Sequence, residues 1–350
     1  MISNETLQLL DNHSESNFQH SLLRLLPFKN REQVAGLKAQ ATVDALQKIL
    51  GKSLFKNGFY KDSKNYFSQI DQLKKQGYLN LGKTLSDKQL EEISAHFANK
   101  PCYDGHVASA AKNAGKPKSS RESLKENGSY FASYGLEDVI SAPHLLELFK
   151  NDQTLELIGN YLGCPPTVYS INCWWSFANG TTRAPTTQLF HRDPDDFRFV
   201  SLFVYLTDTD KGNGSHEIFK GSHDYETLTQ YLTSFCTQKA IGTDIVSDFL
   251  KMSLHNDGNS VELDQCIENF FNENIVDLHG PRGTSFIEDT WSLHRGVPFS
   301  QRDRLVIWCR YGIGVNSETR LNGQPAKILS SKLLNSELQQ YSFRKLVKKN

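Results

Sequence analysis

Apolar and polar positions change period several times along the chain, and each change marks an element. From Arg31 to Leu50, Val34, Leu37, Ala41, Leu46 and Ile49 recur at roughly helical spacing, with Gly51 placed to close the helix. Residues before about 30 are polar and mixed, without a firm period. Gly77-Tyr-Leu-Asn-Leu81 alternates like a half-buried strand. Ser86-Asp-Lys-Gln89 then has the form of a capping box, with Leu85 and Leu90 as the staple across it. Leu90, Ile93 and Phe97 continue a helix with one apolar face. Residues 102–129 are rich in glycine, serine and basic side chains and predict a long loop. Leu145, Leu146 and Phe149, then Leu155, Ile158 and Leu162, predict a helix pair stopped by Gly163 and blocked by Pro165-Pro166.

β character begins at Thr167–Phe177 with Val168, Ile171, Trp174 and Trp175. It strengthens after Gln188-Leu-Phe-His191-Arg-Asp193-Pro-Asp195-Asp196, where Phe197 to Leu206 is a nearly continuous β-prone run. Thr207 to Gly214 is turn-rich, and Ser215–Lys220 is a further strand ending at Gly221-Ser-His223. Residues 224–271 interrupt this pattern with three helical stripes: Leu228, Leu232 and Phe235; Ile245, Phe249 and Met252; Leu263, Ile267 and Phe270. Strands return at Ile275, at Gly283–Glu288 and at Arg304–Tyr311, with a compact turn over Asp289–Gly296. The tail after Gly314 is mostly polar and basic, with helical character near Ser336–Val347. About eight short strands flanked by helices predict a mainly β core with α flanks, arranged as a jelly-roll-like, cupin-like double sheet. The expected layout is an N-terminal helical arm over 1–60 and one further domain over 61–350. That domain has its β core at about 166–316 and its helical insertion at about 224–271.

Composition narrows the function classes without choosing one. The 39 basic and 39 acidic residues cancel, so nothing points to nucleic acid or an anionic membrane surface as a partner. The N-terminus has neither a basic start nor an apolar stretch, and no run reaches the roughly 20 apolar residues that span a bilayer. The six cysteines are scattered, without a CxxC pair, and read as reduced core thiols in a soluble, cytoplasmic protein. The Asn-Gly-Ser/Thr triplets at Asn127, Asn179 and Asn213 are then turns. The oligomeric state is left open.

The chemistry concentrates at His191-Arg192-Asp193. On a strand the two outer side chains share a face while Arg192 points the other way. An imidazole and a carboxylate so placed supply two ligands of a facial metal site, and a second histidine would complete the two-His, one-carboxylate set that suits non-haem iron(II). His255-Asn-Asp257 repeats the triplet, but it lies in a turn before a helix capped by Asn259 and Glu262, so it receives no metal role. His216, His223, His279 and His294 are the candidate third ligands. His294 is preferred because it follows a strand and a tight turn, and because Arg304 opens an apolar strand ten residues later. A buried guanidinium needs an acidic mate, and a small dicarboxylate cosubstrate is one solution. Arg302 shares the strand parity of Arg304 and is the runner-up.

These features together resemble the phytanoyl-CoA dioxygenase-like branch of the iron(II)/2-oxoglutarate oxygenases. The resemblance is carried by Leu73-Lys-Lys-Gln-Gly-Tyr-Leu with Leu85-Ser-Asp-Lys-Gln-Leu, by His191-Arg-Asp193, by Gly214-Ser-His-Glu-Ile-Phe-Lys-Gly-Ser-His223, and by His294 with Arg304. It spans roughly residues 70–312, most of the 224–271 insertion excepted. It implies a double-stranded β-helix, with Fe(II) on His191, Asp193 and His294. It also implies 2-oxoglutarate with its far carboxylate on Arg304 and Tyr205 beside it. A small organic substrate and O2 would be the partners, and hydroxylation the reaction, releasing succinate and CO2. Two positions depart from the family pattern: Arg192 stands where glutamine is common, and Phe219-Lys220 where an apolar residue and proline precede Gly-Ser-His. Related halogenases replace the carboxylate ligand with a small residue, whereas this chain retains Asp193. Two alternatives are a cupin-like metalloprotein of another reaction type and a non-catalytic binding protein on the same fold. Lys112, Lys116, Lys118, Arg121, Trp174, Trp175, Asp195 and Asp196 are candidates to shape a substrate pocket, each more often solvated or structural.

Overall fold

A strand as apolar as Arg304–Gly312 needs cover on both faces, and the molecule is arranged to give it. The computed structural model describes residues 28–51, 66–106, 117–178, 188–240, 242, 244–254, 261–297, 301–314 and 328–348. Among these, ten strands occur: β1 (Tyr78–Lys83), β2 (Cys102–Asp104), β3 (Phe131–Tyr134), β4 (Thr167–Ser176), β5 (Phe199–Tyr205), β6 (His216–Phe219), β7 (Ile275–Leu278), β8 (Thr284–Glu288), β9 (His294–Gly296) and β10 (Arg304–Gly312). Seven build an antiparallel sheet in the order β1-β8-β5-β10-β4-β3-β2, and three build a second in the order β7-β6-β9.

Strand parity sorts the side chains. From the large sheet, Phe131, Trp174, Phe203, Tyr205, Phe286, Val306 and Trp308 share one core with Ile218 and Leu278 of the small sheet, so the sheets face each other. The alternate residues Leu202, Val204, Ile287, Leu305, Ile307 and Cys309 turn outward into a larger core under the helices. This is the mainly β double sheet with α flanks that the periodicity predicts.

The helices are α1 (Arg31–Leu50), α2 (Phe67–Gln76), α3 (Asp87–Phe97), α4 (Arg121–Glu126), α5 (Leu136–Ile140), α6 (Leu145–Phe149), α7 (Asp152–Leu162), α8 (Tyr225–Gln238), α9 (Asp244–Leu254), α10 (Val261–Phe270) and α11 (Glu337–Phe343). The capping box of α3 forms as its sequence dictates: Ser86 Oγ accepts from Gln89 N, and the Gln89 side chain accepts from Ser86 N. The three stripes of the insertion become α8, α9 and α10. Helix α1 lies against the core, with Ala35 and Ala39 buried and Arg31 donating to Phe197 O and His223 O. No helix among the described residues is long and apolar enough to cross a membrane. All six cysteines are free thiols.

Several expectations are corrected. Residues 102–129 are not wholly loop, since β2 and α4 fall within them; residues 107–116 lie outside the described residues. Among the described residues there are ten strands rather than about eight, because β2 and β3 are too short to show a period. The tail is no polar fringe: Tyr341, Phe343 and Leu346 are buried, and Arg344 donates to Thr167 Oγ1 on β4. Its basic residues hid an apolar face because their stems bury while their heads find partners.

Candidate metal centre

The edge of the small sheet creates the site. His191 makes a two-way backbone bridge with His294, each N donating to the other's O at 3.0 Å, and Asp193 N donates to Thr290 O at 2.9 Å. His191 and Asp193 therefore do not enter a regular strand, as the sequence predicts; β5 starts only at Phe199. Pro194 cannot donate, and Asp195 and Asp196 are drawn into side-chain bonds, so pairing lapses between bridge and strand. His294 likewise belongs to β9 rather than to a turn, because it pairs with both His191 and Ile218. The opposed directions expected of the triplet are kept. Arg192 turns away from the ligands to donate to Ser222 O at 2.6 Å, Ser253 O at 3.2 Å and Trp291 O.

One ligand atom each from His191, Asp193 and His294 lies within 4.8 Å of the others. His191 Nε2 is 4.0 Å from Asp193 Oδ1, and His294 Nε2 is 3.6 Å from Asp193 Oδ2. Each imidazole places Nδ1 2.8 Å from a backbone carbonyl, Leu189 O for His191 and Ser292 O for His294. Donation there fixes the tautomer and leaves both Nε2 lone pairs aimed at the shared space, the outer-sphere arrangement typical of metal-bound histidine. Burial, reinforced by the neighbouring His294, draws the His191 imidazole down to about 4, so it is a neutral ligand at ordinary pH. Burial alone would raise the Asp193 carboxyl, but Arg310 and the two imidazoles hold it well below the usual range. Two imidazole nitrogens and one carboxylate oxygen on one side fit a divalent transition ion with open positions opposite. Burial would lower His294, but Glu288 and Asp193 raise it, so an ion must displace its proton where His191 is already neutral.

Sequence reasoning missed Arg310, Tyr169, Glu288 and His106, which surround this triad. Arg310 donates to Asp193 Oδ2 at 2.5 Å and Asp195 Oδ2 at 2.6 Å, and Tyr169 donates to the same Asp195 oxygen. The available signal was parity: Arg310 shares the inward face of β10 with Arg304 and Trp308, but an arginine near a strand end reads as a surface residue. Glu288 is fully buried, 2.7 Å from His216 Nε2 and 3.8 Å from His294 Nδ1. His216 stacks on His294 with ring centroids 5.3 Å apart. His106 wedges among Phe131, Trp174 and Trp308, at centroid distances of 5.2, 4.5 and 5.3 Å.

The remaining candidates separate cleanly. Arg304 is buried at the start of β10, donating to Gly214 O at 2.7 Å and Ser176 Oγ at 3.3 Å, with Tyr205 nearby. Tyr205 is buried and donates to Leu278 O. Arg302 is exposed and pairs with Asp210, and so lies at the surface. His223 contacts Lys74 O, and His279 is exposed beside Asp277, so neither joins the triad. His255 and Asp257 lie outside the described residues, as do Lys112 and Lys116. Lys118 pairs with Asp138, and Arg121 lies over Trp175. Asp196 is structural, accepting from Lys38 and from Ile313 N and Gly314 N.

The sequence matches no known protein family, and no curated protein matches it. Among solved structures it is similar to SnoN, a non-heme alpha ketoglutarate dependent epimerase from nogalamycin biosynthesis, at 12% identity and a TM-score of 0.47, over 79% of this chain and 95% of that one. It is similar to EctD from S. alaskensis, solved with 2-oxoglutarate and 5-hydroxyectoine, at 14% identity and 0.41, over 70% of this chain and 75% of that one. HygX from Streptomyces hygroscopicus, with nickel and 2-oxoglutarate bound, gives 13% and 0.41, over 70% and 86%. Likeness at this level assigns no chemistry to the chain.

Proposed function

We propose that this chain is an iron(II)- and 2-oxoglutarate-dependent oxygenase that hydroxylates a small organic substrate. The observation that carries the reading is the convergence of His191 Nε2, His294 Nε2 and the Asp193 carboxylate, with both Nδ1 atoms committed to backbone carbonyls. His191, Asp193 and His294 would hold the ion. Arg304, with Tyr205 and Ser176 beside it, would hold the far carboxylate of the keto acid. A ferrous ion bound with 2-oxoglutarate and O2 supplies an oxidant strong enough for an unactivated C–H bond, with succinate and CO2 as coproducts.

The protein's own part is orientation and exclusion. The carbonyls of Leu189 and Ser292 fix both imidazoles, Arg310 fixes the Asp193 carboxylate, and the buried cluster of Phe203, Phe286, Trp174 and Trp308 between the sheets would exclude water. Retention of Asp193 favours hydroxylation over halogenation. Anaerobic addition of iron(II) and 2-oxoglutarate is expected to give a visible charge-transfer absorption, and oxygen should then yield succinate. His191→Ala, Asp193→Ala and His294→Ala should each abolish both signals. Undiminished succinate formation by the Asp193 variant would rule the assignment out.

A further inference from the structure

Arg192 stands between two metal-ligand candidates yet touches neither. Its Nη1 donates to Ser222 O at 2.6 Å and to Trp291 O, and its Nε donates to Ser253 O at 3.2 Å. The Phe28 ring covers the guanidinium at 4.7 Å. Four separate parts of the chain therefore meet on one buried cation. Trp291 belongs to the segment that ends in His294, and Ser222 follows β6, which pairs with β9. Ser253 lies in the last turn of α9, in the middle of the helical insertion, where carbonyls lack intrahelical partners and suit a cationic side chain. Phe28 comes from the segment leading into α1 and stacks on Trp291 at 6.0 Å.

The segments 191–193 and 290–294 are thus fastened twice. On the metal side the backbone bridge of His191 with His294 and the bond from Asp193 N hold them in register. On the opposite side Arg192 grips Trp291 O, and the same guanidinium reaches α9. We propose that Arg192 is a positioning residue that couples the helical insertion to the spacing of His191, Asp193 and His294. A displacement of α9 then reaches the metal ligands through one rigid fork rather than through the β core. Lysine cannot replace it, since a single ammonium lacks the planar fork that meets several carbonyls at once. This inference rests on the metal reading given above.

Cobalt(II) taken up by the purified, metal-free protein tests it without reference to turnover. Arg192→Gln should weaken cobalt binding about 10- to 100-fold, the usual cost of losing an outer-sphere support, and shift the visible ligand-field bands. Phe249→Leu loosens α9 from the Phe219 and Phe271 rings it packs on and should move the bands in the same direction. The double variant should add little to either. A merely structural role would lower the melting temperature of both variants and leave the cobalt spectrum of the folded protein unchanged, which would overturn the coupling. Strict additivity of the two substitutions would overturn it as well. If Arg192→Gln does not fold, Arg192→Lys carries the same test with the charge retained. Wild-type protein that takes up no cobalt would defeat the metal reading and this coupling together, whereas uptake with unmoved variants defeats the coupling alone.

Discussion

Arg310 Nη2 lies 2.5 Å from Asp193 Oδ2, and the same guanidinium holds Asp195 through Nη1 at 2.6 Å. One buried cation therefore balances two carboxylates, the buried Asp195 and the half-buried Asp193, a candidate metal ligand. Burial by itself would lower the Arg310 proton affinity, but Asp193 and Asp195 raise it above the ordinary guanidinium value. The pairing orients Asp193 before any ion arrives and leaves Oδ1 toward His191.

Removing that cation separates its two effects. Arg310→Met leaves the buried Asp195 beside the half-buried Asp193 with no cation between them. That should cost the metal-free protein up to about 3 kcal/mol, the low end for breaking a buried pair because solvent reaches Asp193. A divalent ion on Asp193 would then relieve more strain than in the wild type, so manganese(II) should raise the melting temperature of the variant by more. Denaturant and thermal melts with and without metal measure both. Equal metal-induced shifts in the two proteins would show that Arg310 and the ion do not share Asp193.

Arg304 and Arg302 differ by two residues and by complete burial against exposure. Arg304→Ala should weaken 2-oxoglutarate binding to the metal-loaded protein by about 10- to 150-fold, the worth of roughly 1.5–3 kcal/mol for hydrogen bonds to a charged group. Metal affinity itself should be unchanged. Arg302→Ala should leave both alone. Calorimetric titration of the keto acid into each variant decides it, and comparable losses from the two would contradict the placement.

Gly77 adopts φ +82, closes α2, and has its carbonyl bound by Asp289 N. A Cβ there would stand 2.8 Å from His223 Nδ1 and closer still to Ser292 Oγ, next door to the carbonyl that orients His294. Gly82, at φ +68, has open space around it. Gly82→Ala should cost only the left-handed backbone penalty, about 1–2 kcal/mol. Gly77→Ala should cost clearly more and also weaken metal binding. Equal destabilisation by the two would mean that the crowding at Ser292 relaxes freely.

Acid should destabilise the metal-free protein. Burial, reinforced by Arg310, draws the His106 imidazole down to about 3, and burial with His294 nearby draws His191 down to about 4. An unfolded histidine titrates near 6.5. Between about pH 6.5 and 4 the unfolded chain therefore binds more protons at both positions, and stability falls as pH falls. Each histidine contributes about 1.4 kcal/mol per pH unit in that window. Asp193, held low, acts in the same sense below about pH 4. His294 acts at higher pH: burial would lower it, but Glu288 and Asp193 raise it, so its contribution is complete below about pH 6.5 and is lost as pH rises above that value. The urea midpoint should decline from pH 7 to 4.5, and less steeply in His106→Asn. An identical slope in that variant would place the His106 ring in contact with water.

The sequence by itself determined much of this protein, because the signals involved are local. Alternation along Phe199–Tyr205 and Arg304–Gly312, the Ser86 box and the three stripes of the insertion each depend on neighbours within a few residues, so periodicity suffices to read them. The His-x-Asp triplet was legible for the same reason, whereas the approach of His294 to it is a tertiary contact. The tertiary structure alone decided what surrounds the triad. Arg310 joins Asp193 across 117 residues, Glu288 meets His216 across the facing sheets, and Arg192 binds carbonyls 30, 61 and 99 positions away. It also set Arg302 at the surface beside Asp210, since strand parity places a side chain on a face but cannot say where the sheet ends and water begins. Charge and burial at such sites come from chain segments that meet only when the two sheets close, and no spacing along a single strand records that meeting.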